Sequence, residues 1–169
     1  MTRPFDRIPA NVPVMLDANI VVYALFPQVR LHEACKELLE RGARGEVQLH
    51  LGTNTAADII HRAMVLELLA QDSFVKSADA VTYLKRNPRA VQELTRYKTI
   101  LGDLRQARIN ILPITYRDLH ESRQFRNENG LMTNDSIIVA VMKRYKIQHL
   151  ATNDADFERV PGIAVRRPE

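Results

Sequence analysis

The 169-residue chain contains one cysteine, Cys35, and no tryptophan. A lone thiol excludes an intrachain disulfide and a cysteine metal cluster, and within the helical pattern HEACKELLE it reads as a small buried hydrophobe. Long hydrophobic runs are missing too. The longest, Ile20 to Phe26, falls far short of the roughly 20 residues that a bilayer span needs, so no transmembrane helix and no membrane partner are expected. The opening MTRPFDRIPA puts Asp6 and two prolines where a secretory peptide needs an apolar core, which predicts no export signal and a reducing cytoplasm. Glycine and proline are scarce at 6 and 8, while 46% of residues are apolar, so the chain can bury a core without staples and is not intrinsically disordered. Acidic excess is also absent. The net charge is +4 and the pI 9.4, which suits a polyanionic partner without selecting one.

What is present is an alternation of short apolar runs and helical patterns. Val12 to Leu16 reads as a buried strand that ends at Asp17 and passes into a helix through Asn19 and Ile20. His32 to Arg41 repeats apolar positions at helical spacing, and Gly42 and Gly45 stop it. Val47 to Leu51 is the next strand, and Thr53 or Thr55 is suited to cap a long helix, with Asp58 in its first turn. From Gln71 to Arg108 no strand is expected; Asn87-Pro88 divides two helical patterns, the second carrying Val91, Leu94, Tyr97, Leu101 and Leu104 on one face. Ile109 to Ile114 reads as a strand, Thr115 to Arg126 and Thr133 to Tyr145 as helices, Gln148 to Thr152 as a strand and Ile163 to Val165 as an edge strand. This order predicts one α/β domain over 1–169, a three-layer α/β/α sandwich with a mainly parallel sheet and a helical extension around 71–108.

In such sheets ligands bind beyond the carboxyl ends of the strands. Asp17 and Asp154 follow strands, while Asp58 and Asp135 begin helices that can start at the same edge, so four acids converge there. Crowded carboxylates repel unless a cation neutralises them, and hard oxygen donors suit Mg²⁺, which leaves positions for a substrate phosphate. Asp58 and Asp135 equally suit helix N-termini with no further role. Asp17 with Asn19, inside an apolar run, is harder to explain structurally. Rival motifs fail. An EF-hand from Asp154 would need Gly where Arg159 stands and Glu where Val165 stands, and a zinc-protease helix from His32 would need His at Lys36. Four histidines, His50, His61, His120 and His149, are scattered and read as surface or satisfied core residues. There is no Walker loop, GxGxxG or nucleophile elbow, and Asp17-Ala18-Asn19 lacks the second aspartate of a haloacid-dehalogenase-type phosphatase.

Taken in order, these segments resemble those of PIN-domain proteins and, within that group, the VapC-type toxins of bacterial toxin-antitoxin pairs. Leu16-Asp17-Ala18-Asn19 with its following apolar helix is similar to the opening motif, Thr53-Asn-Thr-Ala-Ala-Asp58 to the second, Leu131-Met-Thr-Asn134-Asp135 to the third, and Thr152-Asn-Asp154-Ala-Asp156-Phe157 to the fourth. The resemblance implies a PIN-like fold and an endoribonuclease dependent on Mg²⁺ or Mn²⁺, with Asp17, Asp58, Asp135 and Asp154 holding the metal. It also implies that Thr152 helps to orient the attacking water and that Asn19 supports Asp17. Asp156 is open between an acid near the metals and an exposed turn residue, while Asn134 and Asn153 are taken as turn-shaping residues. Further implications are an RNA substrate, a small antitoxin encoded nearby and a homodimer. One departure stands out: the second acid is usually Glu, and Asp58 is one methylene shorter. That departure keeps a second expectation open, a catalytically weak or silent PIN-like RNA-binding module; a housekeeping PIN nuclease without antitoxin is a third. Between Tyr83 and Arg126 ten basic residues face four acids, a bias that suits phosphate binding and equally suits a solvated surface.

Overall fold

The computed structural model describes residues 4–27, 30–71 and 76–169. Parts of two expectations, the first three residues of the N-terminal segment and positions 72–75 of the 71–108 stretch, lie outside these.

Five strands form one sheet: β1 (Pro13–Leu16), β2 (Gln48–Gly52), β3 (Asn110–Leu112), β4 (His149–Ala151) and β5 (Ala164–Arg166). Their order is β3-β2-β1-β4-β5 and every pairing is parallel, with Val14 beside Leu49 on one flank and His149 on the other. Among the described residues, eight α-helices accompany them: α1 (Ala18–Leu25), α2 (His32–Ala43), α3 (Thr53–Leu69), α4 (Ser77–Arg86), α5 (Pro88–Glu93), α6 (Arg96–Gln106), α7 (Tyr116–Asn129) and α8 (Thr133–Tyr145). A parallel sheet needs cover on both faces, and the side-chain alternation of β1 shows how it is supplied. Val14 and Leu16 join a core with Ile20, Leu38, Ile59 and Leu104, from α1, α2, α3 and α6. Met15 joins the opposite core with Phe125, Ile138, Met142 and Leu150. The fold is therefore the α/β/α sandwich expected. A third cluster packs Val65 and Leu68 of α3 against Ala80, Leu84 and Leu94.

Several boundaries differ from those the sequence suggests, each for a physical reason. Gly42 lies inside α2, where a Cβ would collide with the Leu49 side chain of β2; the stop comes at Gly45, whose φ of 77° favours glycine. Neither Thr53 nor Thr55 caps α3. Gly52 is the N-cap residue, the Thr53 hydroxyl accepts from the Ile114 amide, and Asp58 consequently stands beyond the first turn. Pro88 does open α5, but the stripe continuing to Leu104 is broken at Leu94-Thr95, and Leu101 is exposed. The break is held by Glu67 of α3, whose carboxylate accepts from the Thr95 amide and hydroxyl and from the Arg96 amide. Thr115 caps α7 in a capping box with Asp118, and Gly130 closes that helix at a φ of 65°. His50, expected to be exposed or satisfied, has both ring nitrogens buried without a hydrogen-bond partner.

Candidate active site

The carboxyl ends of β1 and β4 are neighbours in the sheet, which sets Asp17 next to Thr152. Burial removes water from the Asp17 carboxylate and raises its pKa, and the hydrogen bond from Thr152 opposes this. Oδ2 of Asp17 accepts from Thr152 Oγ1 at 2.7 Å and from Asn19 Nδ2 at 2.7 Å. Thr152 is completely buried and its hydroxyl also accepts from the Asp154 amide at 3.0 Å. Asn19 in turn accepts the Asn153 amide on its Oδ1. One hydrogen-bonded unit thus ties the end of β1, the first turn of α1 and the loop after β4. Oδ1 of Asp154 accepts from the Asp156 amide and starts a 3-10 helix over Ala155–Arg159. The Asp156 carboxylate is paired with Arg159 at 2.6 Å, as suits an exposed turn, yet its charge still reaches Asp135.

Asp135 stands in the first turn of α8, whose start is fastened from α7. Arg126 donates to the hydroxyls of both Ser122 and Ser136, and Ser136 donates to the Thr133 carbonyl. Burial first, and then the charges of Asp17, Asp154 and Asp156, push the Asp135 carboxyl up to about 6. Asp17 and Asp135 line a cavity of about 320 Å³ together with Asp58, Asn54, Thr55, Thr133 and Asn134. Of the four expected acids, three are brought into mutual electrostatic contact, and Asp58 shares the cavity with two of them. Asp58 is engaged elsewhere: its Oδ2 accepts from Arg62 Nε at 2.8 Å, one turn along α3. Among the described residues, no three His, Cys, Asp or Glu side chains are gathered as a coordination sphere. The donor set is nevertheless hard oxygen throughout, and the repulsion that raises Asp135 is the condition a divalent cation relieves.

Asn134 lines the cavity instead of only shaping a turn, and Arg62 and Asn54 were not singled out from the sequence at all. A sequence signal for Arg62 existed in its spacing of four from Asp58.

The PIN domain family model matches residues 14–163. The chain belongs to the PIN-domain family. The chain is 32% identical over 165 residues to Ribonuclease VapC6 of Methanocaldococcus jannaschii, covering 93% of this chain and 97% of that protein. Solved structures of the same fold include VapBC2 of Rickettsia felis bound to a promoter DNA fragment, with a TM-score of 0.58 and 16% identity over 94% of this chain and 100% of that one. VapC20 of Mycobacterium tuberculosis, a toxin that cleaves the sarcin-ricin loop, gives a TM-score of 0.54 and 14% identity over 90% and 98%.

Proposed function

We propose that this PIN domain is an endoribonuclease of the VapC type, the RNA-cleaving toxin of a toxin-antitoxin pair. The observation that carries the reading is the gathering of Asp17, Asp58 and Asp135 on one cavity at the carboxyl edge of the sheet, with Asp154 near enough to act on Asp135, in a chain similar to a named ribonuclease over nearly its full length. Asp17, Asp135 and Asp154 are the acids proposed to hold Mg²⁺ or Mn²⁺, with Asp58 contributing to the same site and Asp156 at its margin. A divalent ion held there supplies charge stabilisation to the scissile phosphate and the departing 3′ oxygen. Thr152 and Asn19 fix the Asp17 carboxylate in one orientation. Asn54, Thr55 and Asn134 offer neutral polar contacts to the backbone of a single strand. Attack in line would leave 5′-phosphate and 3′-hydroxyl ends.

A small antitoxin encoded nearby, a two-fold homodimer, residence in the cytoplasm and a helical extension around 71–108 belong to the same proposal. No helix among the described residues is long and apolar enough to cross a membrane. The basic bias between Tyr83 and Arg126 contributes less to RNA binding than its count suggests, because Arg126 turns inward and Arg96 and Arg117 pair with Asp103 and Glu121.

The Asp58–Arg62 pair favours a second reading, a weakly active or silent RNA-binding module. Incubation of antitoxin-free protein with total RNA, with Mg²⁺, Mn²⁺ or EDTA, separates the two. Cleavage abolished by EDTA and by Asp17→Asn is expected. RNA left intact under every metal, or cut equally in EDTA, overturns the nuclease reading. A gene without an antitoxin neighbour whose expression leaves growth unaffected would replace the toxin by a housekeeping nuclease.

A further inference from the structure

Among the described residues, Arg62 is the single basic side chain lining the acidic cavity. Its Nε is committed to Asp58, and among the described residues its guanidinium meets no other hydrogen-bond or ion-pair partner, which leaves the two Nη groups as donors. The Arg62 side chain is 49% exposed and that of Asp58 29% exposed, so the pair sits at the cavity mouth, where an incoming strand must pass. The cation also acts on the acids behind it: burial raises both Asp17 and Asp135, and the charge of Arg62 opposes a small part of that rise. A guanidinium anchored at Nε presents a planar fork that matches two phosphate oxygens.

The geometry points to Arg62 as a phosphate-binding residue of this site, with Asp58 positioning its guanidinium instead of ligating a metal. This deepens the nuclease reading and rests on it. Three carboxylates line the cavity, and one is neutralised within the protein by Arg62. The two that are left on the lining, Asp17 and Asp135, match the one or two direct carboxylates typical of a single Mg²⁺, with Asp154 just outside the lining adding its charge to the same ion. The short side chain at position 58 acquires a physical sense here. Aspartate reaches the residue one turn on, as a glutamate also would, and it does so with one methylene less reach toward the other acids of the cavity. Arg62 then contributes positive charge where the strand enters, opposite in sign to the acids that would otherwise repel it.

Two titrations test this with antitoxin-free protein, neither depending on cleavage. Calorimetry with Mn²⁺ is expected to show one ion in the parent. In Arg62→Ala, where Asp58 is released to the cavity, Mn²⁺ should bind several-fold more tightly or a second ion should appear. Binding of a fluorescent single-stranded RNA in Ca²⁺ should weaken about tenfold in Arg62→Ala, the scale of one lost charged hydrogen-bonding group. The logarithmic salt dependence should flatten by about 0.7. Arg62→Lys should recover the salt dependence but only part of the affinity, because the fork is lost. Mn²⁺ binding in Arg62→Ala equal to or weaker than in the parent, or unchanged RNA affinity, overturns the role of Arg62 and leaves the nuclease reading standing. A parent that binds no Mn²⁺ overturns both.

Discussion

Replacing Asp135 by asparagine should stabilise the metal-free protein. Asn keeps the shape of the side chain in the first turn of α8 and removes the charge that burial and Asp17, Asp154 and Asp156 oppose. The displacement of the carboxyl from 3.8 to about 6, discounted for solvent screening of a half-buried group, leaves roughly 1–2 kcal/mol at neutral pH. For a domain of this size that is an increase in Tm of about 2–8 °C. The folded parent holds the Asp135 proton more tightly than its unfolded chain does, so this group's contribution to stability falls as pH rises from about 4 to about 6 and is constant above. The gap between Asp135→Asn and the parent therefore opens across that window and closes below it. Thermal unfolding in EDTA at pH 4, 5, 6 and 7.5 measures it directly. Saturating Mn²⁺ should shrink or reverse the gap, since only the intact acid cluster gains from binding. A variant that melts at or below the parent in EDTA at pH 7.5, or a gap indifferent to pH, would refute the electrostatic account.

Other consequences are separable. Thr152→Val removes the hydroxyl that donates to Asp17 and accepts from the Asp154 amide; a loss of about 1–3 kcal/mol in denaturant unfolding is expected, and an unchanged midpoint would show that the hydroxyl is dispensable. Arg144→Met takes the cation from the fully buried Asp118, whose Oδ1 lies 2.8 Å from Arg144 Nε without the alignment of a hydrogen bond and whose Oδ2 keeps its bonds from Thr115; destabilisation of about 3 kcal/mol is expected in the same assay. Glu67→Ala frees the Thr95 and Arg96 amides and should cost about 1 kcal/mol, with amide exchange accelerating first at the start of α6. Protection there equal to the parent's would show that Glu67 does not hold the break.

The sheet and its acidic edge were readable because each of their parts leaves a local trace. An apolar run broken by Asp17 and Asn19 announces a strand that ends at a polar edge, and Thr133 to Tyr145 carries its own helical pattern with Asp135 in the first turn. What could not be read depends on partners distant in sequence. The break between α5 and α6 is set by Glu67, 28 residues before Thr95, and a continuous stripe from Val91 to Leu104 gives no hint of it. Arg126 counts as one more surface cation until its hydrogen bonds to Ser122 and Ser136 turn it into the fastening of α8. Arg62 was overlooked for the opposite reason. An Asp and an Arg four apart on a helix are the ordinary mark of a surface pair, and only the cavity beside them gives the pair another meaning.

The acids of the site are held by elements from both layers. Asp58 rises from α3, whose Ile59 is fully buried in one core, and Asp135 from α8, whose Ala140 is fully buried in the other, while Asp17 and Asp154 follow the central strands between them. Leu16 and Ala151, each immediately before a polar site residue, have no exposed surface. The apolar packing behind the edge therefore offsets the electrostatic cost in front of it, and the carboxylates cannot separate without opening a core. This explains why removing a charge from the edge should raise stability and lower activity together, a trade that a merely structural group of acids would not show.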